Sequence, residues 1–330
     1  MSKIRIVTES ELRKVIRLDM DAVECMEGAF TALAEEGAVM PPILTMAIEE
    51  SNGEVDVKTA YVPGLESFAI KISPGFFDNS KLGLPSTTGL MVLCSAQTGL
   101  VEAVFLDNGY LTDVRTAAAG AVAARYLSRE DSAVACIVGA GQQAKFQLEA
   151  LCLVRPIREA MIWGRDIKKV TPVAGKLSKK LGIAVQAVSD LENSVSSADI
   201  IVTATPSDSP LVMGEWLQKG QHVTSMGADQ TSKNELHPQC LSVADLYVPD
   251  RRSQTERLGE LHHAIVAGTA DSESLFPELG EIVGGKVPGR LFPEAITICD
   301  LTGTGVQDTA IATQANRRVQ QAGVGIMMET

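Results

Sequence analysis

Val138-Gly139-Ala140-Gly141-Gln142-Gln143-Ala144 directly follows a continuous apolar run at 133–138 and opens a stretch of helical spacing that reaches Leu153. In a strand followed by G-x-G-x-x-A and a helix, the first glycine permits a tight turn and the second lets backbone approach a pyrophosphate. Ala144 then lets the helix pack closely on the strand. The loop alone is a weak signal, and its strand-to-helix context is what points to a dinucleotide. Gly139, Ala140, Gly141, Gln142 and Gln143 are therefore candidate cofactor-binding residues. The plainer reading is that the glycines only shape a βα turn.

Beyond the loop, apolar segments at 160–163, 184–188, 199–205 and 223–226 alternate with helical spacing at 167–181 and around Glu192. Strands without polar alternation, separated by helices, belong to a parallel sheet covered on both faces, so a doubly wound α/β unit of Rossmann type is expected. Upstream the pattern differs. Ser10 opens a helical start signal whose apolar spacing continues to Leu33, and short segments at 55–62, 67–72, 88–94 and 101–105 are punctuated by Gly and Pro. This reads as an α+β region. An Ala-rich helix expected at 112–127 marks the junction, and helical spacing at 309–322 reads as a return of the chain to the first region. At roughly 150 residues per domain, a chain of 330 residues accommodates both.

The net charge of −12 gives no electrostatic hold on nucleic acid or anionic lipid without a local basic patch, and none is evident. A small-molecule partner, no nucleic acid and no membrane are expected. No apolar stretch reaches the about 18 to 20 residues that span a bilayer, and MSKIRIVTESELRKV lacks an apolar signal region. Six cysteines without a CxxC pair read as buried free thiols, so a cytoplasmic protein is expected. His222, His237, His262 and His263 lack ligand spacing, and no metal site is expected.

Cofactor choice turns on Met161-Ile162-Trp163-Gly164-Arg165-Asp166. Gly164 holds the position where an acidic residue would hydrogen-bond the ribose 2′-hydroxyl of NAD, and Arg165 beside it suits the 2′-phosphate of NADP. NAD(P)(H) is expected, with NADP(H) favoured over NAD(H). Asp166 could still reach the ribose, and the Arg165-Asp166 pair could be only a solvated turn.

Over nearly its whole length the sequence resembles the ornithine cyclodeaminase/mu-crystallin family. The matching motifs begin with Phe68-Ala69-Ile70-Lys71, Gly83-Leu84-Pro85-Ser86-Thr87-Thr88-Gly89-Leu90 and Leu111-Thr112-Asp113-Val114-Arg115-Thr116-Ala117-Ala118-Ala119, followed by the Gly139 loop. Ala198-Asp199-Ile200-Ile201-Val202-Thr203-Ala204-Thr205-Pro206-Ser207, Gly227-Ala228-Asp229 with Lys233-Asn234-Glu235-Leu236, and Thr302-Gly303-Thr304-Gly305-Val306-Gln307-Asp308 then match in the same order. Residues 53–63 and 73–79 are more similar to the family's ectoine-utilisation branch.

The resemblance implies a Rossmann NAD(P)-binding domain at 116–308, inserted in a split α+β substrate-binding and dimerisation domain at 1–115 and 309–330. It also implies a homodimer and hydride transfer at the α-carbon of a small amino or imino acid. The reaction would be that of an imine reductase, amino-acid dehydrogenase or cyclodeaminase; a mu-crystallin-like NADPH-dependent binding protein without turnover is the alternative. One departure stands out. Where many members carry an arginine after the first helix, this chain reads Met40-Pro41-Pro42-Ile43-Leu44-Thr45, so the resemblance does not extend to ornithine as the substrate.

Lys71, ending the segment 67–72, could hold a carboxylate or imine, or serve as acid/base if desolvated; a lysine reaching solvent from a strand end is the plainer reading. Arg115 offers a planar fork suited to an α-carboxylate, or is a surface arginine at a helix end. The family match favours the site role for both. Thr116 beside it is a cofactor or substrate contact, or an ordinary helical threonine. Asp229 takes an acid/base role by resemblance, with an N-cap or turn as the alternative. Glu235, close to Lys233, reads as a solvated charge. Thr205, Pro206 and Ser207 end a parallel strand, at the carboxyl edge where nucleotides lie. With Gly227, Thr302 and Gly303 they are candidate cofactor-binding residues, and each could be only a turn.

Overall fold

The computed structural model describes residues 3–35 and 37–329. The chain divides into two units, Met1–Arg17 with Glu24–Arg115 and Thr304–Thr330, and Leu18–Val23 with Thr116–Gly303. Residues 304–308 thus belong with the first unit, ahead of the boundary expected at 308.

From the N-terminus run β1 (Lys3–Thr8), α1 (Glu9–Val15), α2 (Met20–Ala34), β2 (Leu44–Ile48), β3 (Gly53–Ala60), β4 (Ser67–Phe76), β5 (Leu90–Ser95) and β6 (Val101–Leu106). The helix α3 (Tyr110–Leu127) carries the chain across the division. The second unit continues with β7 (Val134–Val138), α4 (Gln142–Val154), β8 (Glu159–Trp163), α5 (Ile167–Leu181), β9 (Ala184–Val188), α6 (Leu191–Ser197), β10 (Ile200–Thr203) and β11 (His222–Ser225). It ends with α7 (Gln239–Val243), β12 (Leu246–Pro249), α8 (Arg252–Thr255), α9 (Glu260–Val266), α10 (Leu279–Val283) and β13 (Thr297–Asp300). Then α11 (Gly305–Ala322) and β14 (Ile326–Glu329) complete the first unit.

In the first unit seven strands form one sheet in the order β14-β1-β6-β5-β4-β3-β2. The β1–β6 pair is parallel and the other pairs are antiparallel. Because side chains alternate along a strand, register decides which residues share a face. Lys58 opposes Lys71, Lys71 opposes Met91, and Met91 opposes Phe105; all four are buried. The alternate positions, Val55, Val57, Ile70, Ile72, Leu90 and Val92, are half-exposed, and Leu44 and Met46 of β2 are 61% and 51% exposed. One face is therefore a core and the other an apolar surface.

The chain's own return covers the buried face. A capping box of Thr304 and Gln307 starts α11, whose residues lie against β3, β4 and β5. Gly305 is required there by close approach, since a Cβ would run into the Thr59 carbonyl oxygen. One turn on, Thr309 Oγ1 donates to the Ala60 carbonyl at 2.8 Å and accepts from the Ala69 N–H at 3.1 Å, which pins the helix to both strands.

The single helix expected at 10–33 is two. Ile16 takes up an extended conformation (φ −109°, ψ 131°) that ends α1, and Asp19 Oδ1 accepts from the Ala22 N–H at 3.1 Å to start α2. The start of α1 is set by Thr8, whose capping box with Glu11 replaces the signal read at Ser10. The segment expected to end at 72 runs on to Phe76, so Lys71 lies inside β4 and not at its end.

The second unit has the expected doubly wound form, with all neighbouring strands parallel in the order β12-β13-β11-β10-β7-β8-β9. Its central strands β10, β11 and β13 are buried at every residue, and polar side chains that fall within them are bonded internally, His222 to Thr297 and Thr224 at 2.9 Å each. Chain direction across the sheet reverses between β7 and β10, the place where open α/β sheets bind ligands. No helix among the described residues is long and apolar enough to cross a membrane, and all six cysteines are free.

Candidate active site

At the carboxyl end of β7, Gly139 has φ +127°, a conformation that favours glycine, and a Cβ there would meet the Ala204 carbonyl oxygen. Gly141 is the N-cap of α4 and makes no side-chain cap bond; the first turn holds no acidic residue. Gly141 and Gln142 are exposed, Ala140 and Gln143 are half-exposed, and Ala144 is buried. An uncapped, outward-facing helix N-terminus carries partial positive charge. These residues fit a pyrophosphate.

At the end of β8, Arg165 is exposed, while Asp166 Oδ1 accepts from the Lys168 N–H at 3.0 Å and so caps α5. Gly164 packs tightly: a Cβ would lie 2.9 Å from Val170 Cγ2. A larger, acidic residue at 164 would displace that contact.

The largest departure from expectation in this unit is Glu235. Read as a solvated charge, it is fully buried. Its carboxylate accepts from the Thr205 N–H at 2.6 Å, Thr205 Oγ1 at 2.7 Å, Thr203 Oγ1 at 2.7 Å and the Gly227 N–H at 2.7 Å. Burial pushes its pKa up against these donors. The loops after β10 and β11, which carry Thr205 and Gly227, are thus tied to one carboxylate. Thr205 turns its hydroxyl inward, Pro206 is exposed, and Ser207 Oγ donates to the Ser209 carbonyl at 2.7 Å. Thr302 Oγ1 and the Gly303 N–H both donate to Asp250, at 2.9 and 2.8 Å. Asp229 is 41% exposed at its side chain and pairs with Lys233 Nζ at 2.7 Å. Thr116 is half-exposed, and its carbonyl accepts from Gln147 Nε2 at 3.1 Å.

The first unit brings Lys71 and Arg115 together through a residue to which the sequence assigned no role. Asp308, in the first turn of α11, is fully buried; Lys71 Nζ lies 2.9 Å from its Oδ2 and Arg115 Nε donates to its Oδ1 at 3.0 Å. Arg115 Nη1 also donates to Gln307 Oε1 at 3.4 Å. Lys58, buried and directly opposite Lys71, adds a third cation. Burial draws the Lys71 ammonium down to about 7, which Asp308 only partly resists, and Arg115 and Lys58 push the same way. Burial works to raise the Asp308 carboxyl, but Lys71 and Arg115 outweigh it and hold it below the ordinary carboxylate range. Lys71 is therefore not the solvent-reaching lysine of the plainer reading. It is a buried amine poised to gain or lose a proton near neutrality.

Two signals in the sequence could have located the missed residues. Lys58 falls on the inward-facing alternation of 53–60, and Asp308 ends the last shared motif three residues into a helix that Thr304 caps.

The ornithine cyclodeaminase/mu-crystallin family matches this chain over residues 3–323. A Sinorhizobium fredii protein described as an uncharacterized cyclodeaminase is 58% identical over 331 residues, covering 100% of both chains. Among solved structures, the Thermococcus litoralis Δ1-pyrroline-2-carboxylate reductase, in complex with NADH and L-proline, superposes with a TM-score of 0.93 at 31% identity, covering 98% of this chain and 99% of that one. An archaeal alanine dehydrogenase dimer with bound NAD gives 0.92 at 32% identity and 99% of both chains.

Replacing Asp308 by Asn leaves its buried cations without their counter-charge. Urea unfolding of Asp308→Asn should show a loss of about 3–5 kcal/mol, and the loss should shrink when Lys71→Met is added, because one uncompensated charge is then removed. An Asp308→Asn protein as stable as the parent would show that the ion pairs do not hold the first unit together.

Proposed function

The chain belongs to the ornithine cyclodeaminase/mu-crystallin family, and from that premise we propose that it is a nicotinamide-dependent enzyme acting at the α-carbon of a small amino or imino acid. The observation that carries this reading is the buried Lys71–Asp308–Arg115 cluster, in a chain that also holds an open dinucleotide loop. Gly139, Ala140, Gly141, Gln142 and Gln143 would hold the pyrophosphate, with Thr116, Thr205, Pro206, Ser207, Gly227, Thr302 and Gly303 shaping the rest of the cofactor site. A bound nicotinamide supplies or accepts hydride at the α-carbon.

Asp308 fixes the Arg115 guanidinium through Nε, which orients its fork toward an α-carboxylate. Lys71 gives a proton to the imine nitrogen in reduction and receives one from the amine in oxidation. Asp229, held by Lys233, serves as a second carboxylate for proton transfer. The same groups serve net redox chemistry, in which hydride stays on the product, and cyclodeamination, in which it is returned after ammonia leaves. Retained Lys71, Arg115 and Asp229 favour turnover over a mu-crystallin-like binding role. The ectoine-utilisation assignment rests on residues 53–63 and 73–79 alone, and a reducing, cytoplasmic setting suits the six free thiols.

A panel of imino and amino acids, followed by reduced-nicotinamide absorbance and ammonia release, separates these reactions. Lys71 must be protonated to act in reduction, so kcat/KM for imine reduction should fall as pH rises through about 7 and the oxidative kcat/KM should rise over the same range. Lys71→Met should abolish both with dinucleotide affinity retained. A flat profile across neutrality would remove Lys71 from proton transfer, and dinucleotide binding without any turnover would favour the binding-protein reading.

Solved relatives are described with NADH and NAD. For this chain, Gly164 with exposed Arg165 supports NADP(H). Arg165→Ala should weaken NADPH about tenfold or more, the worth of a charge-assisted hydrogen bond, and leave NADH nearly unchanged in a binding titration. Equal effects would overturn the preference.

A homodimer formed through the uncovered apolar face of the first unit's sheet completes the proposal, since a patch of this kind marks an interaction surface. Light scattering should find a dimer, and Ile70→Glu, in the middle of that face, should give a monomer. A dimer that survives Ile70→Glu would place the interface elsewhere.

A further inference from the structure

The first unit holds a cavity of about 430 Å³ on the side of its sheet that α11 covers, lined by Arg5 of β1, Val101 and Glu102 of β6, Met327 of β14 and, from the second half of α11, Asn316. Its volume is that of a small-molecule site, about 300–1,000 Å³. Asn316 lies about 12 Å along α11 from Asp308, at about 1.5 Å per residue, so the cavity is separate from the Lys71 cluster. A register shift between Leu93 and Cys94 passes over Glu102, since Leu93 opposes Ala103 and Cys94 opposes Val101. Such a bulge re-aims a side chain. Glu102 accordingly shares the cavity with its neighbour Val101, where plain alternation would put the two on opposite faces.

Arg5 and Glu102 are both half-buried on this cavity, yet neither is in an ion pair among the described residues. Arg5 Nη1 donates to the Val324 carbonyl at 2.6 Å, and Glu102 Oε2 accepts from Ser67 Oγ at 2.6 Å. A charge drawn partly out of water without a counter-charge is unfavourable. Asn316 is 7% exposed, and its Oδ1 is buried with no hydrogen-bond partner, which folded interiors rarely tolerate. Leu100 and Met327, also on the cavity, are apolar side chains left 56% and 47% exposed. A guanidinium, a carboxylate with an amide oxygen, and an apolar wall thus line one space.

We propose that this cavity is a binding site for a free α-amino acid with an aliphatic side chain, distinct from the site proposed at Lys71 and Arg115. The α-carboxylate lies on the Arg5 guanidinium, the α-ammonium on Glu102 and the Asn316 amide oxygen, and the side chain on Leu100, Val101 and Met327. A zwitterion answers both charges at once, whereas a simple anion or cation leaves one of them unpaired. A site built this way rejects an analogue that lacks either group. The proposal stands whether or not Lys71 and Arg115 act in a reaction.

The test is calorimetric titration of L-valine, L-leucine and L-methionine into the full-length protein with NADH or NADPH present, since a reduced dinucleotide cannot oxidise an amino acid. At least one of the three should bind. For L-leucine, 3-methylbutylamine lacks the carboxylate and 4-methylpentanoate lacks the ammonium; each should bind about tenfold or more weakly, the worth of a charge-assisted hydrogen bond. Glu102→Gln, which keeps an acceptor for Ser67, should weaken the amino acid by a similar factor with the melting temperature unchanged. Arg5→Met should do the same, and Arg115→Lys should leave the affinity as it is. Unchanged affinity in Glu102→Gln would overturn the proposal, as would analogues that bind as well as the amino acid. A loss in Arg115→Lys equal to that in Glu102→Gln would place the amino acid at Lys71 instead. Failure of all three to bind would leave the cavity without this function.

Discussion

The first unit is organised around the carboxylate of Asp308. It is a fully buried charge, reached by Lys71 from the middle of a strand and by Arg115 from a helix, 237 and 193 residues away in sequence. Burying any one of these groups alone would be strongly unfavourable. Together they compel the C-terminal helix α11 to return to the sheet in one register, which Gly305 permits by close approach and Thr309 secures by bonding to β3 and β4. The ion cluster is not bought for stability, because an apolar core of similar volume would serve as well. Its yield is chemical: an amine whose proton is labile near neutral pH and a guanidinium held in one orientation.

The second unit uses the same device for a different end. Glu235 gathers Thr203, Thr205 and Gly227 around one buried carboxylate, so the loops after two neighbouring strands cannot move independently of it. Asp250 does likewise for Thr302 and Gly303. Two of the candidate cofactor-binding residues, Thr205 and Thr302, therefore give their hydroxyls to buried carboxylates. A dinucleotide bound at these loops, as proposed above, would meet groups held in fixed positions, which is what oriented binding requires.

The doubly wound sheet was legible because its signals are local. A strand buried on both faces is a run of apolar residues, and a Gly-rich loop after it is visible within seven positions. β1, β2 and β14 were not. They are runs of only six, five and four residues, mostly or wholly exposed to some degree, so no buried face marks them in the sequence. The break between α1 and α2 was also missed, because apolar spacing ran through it; only the extended Ile16 and the cap at Asp19 show where the helix stops.

By itself the sequence determined the parallel sheet, the dinucleotide loop, the family, and the candidacy of Lys71, Arg115 and Asp229. Tertiary structure alone decided that Lys71 and Arg115 meet on Asp308, that Lys58 stands beside them, and that Glu235 is buried. The reason is physical. A side chain's type is local information, but its partner is chosen by register and by which face of a strand or helix is covered. A lysine or glutamate on paper carries the charge it has in water until burial removes that water and leaves it to its neighbours.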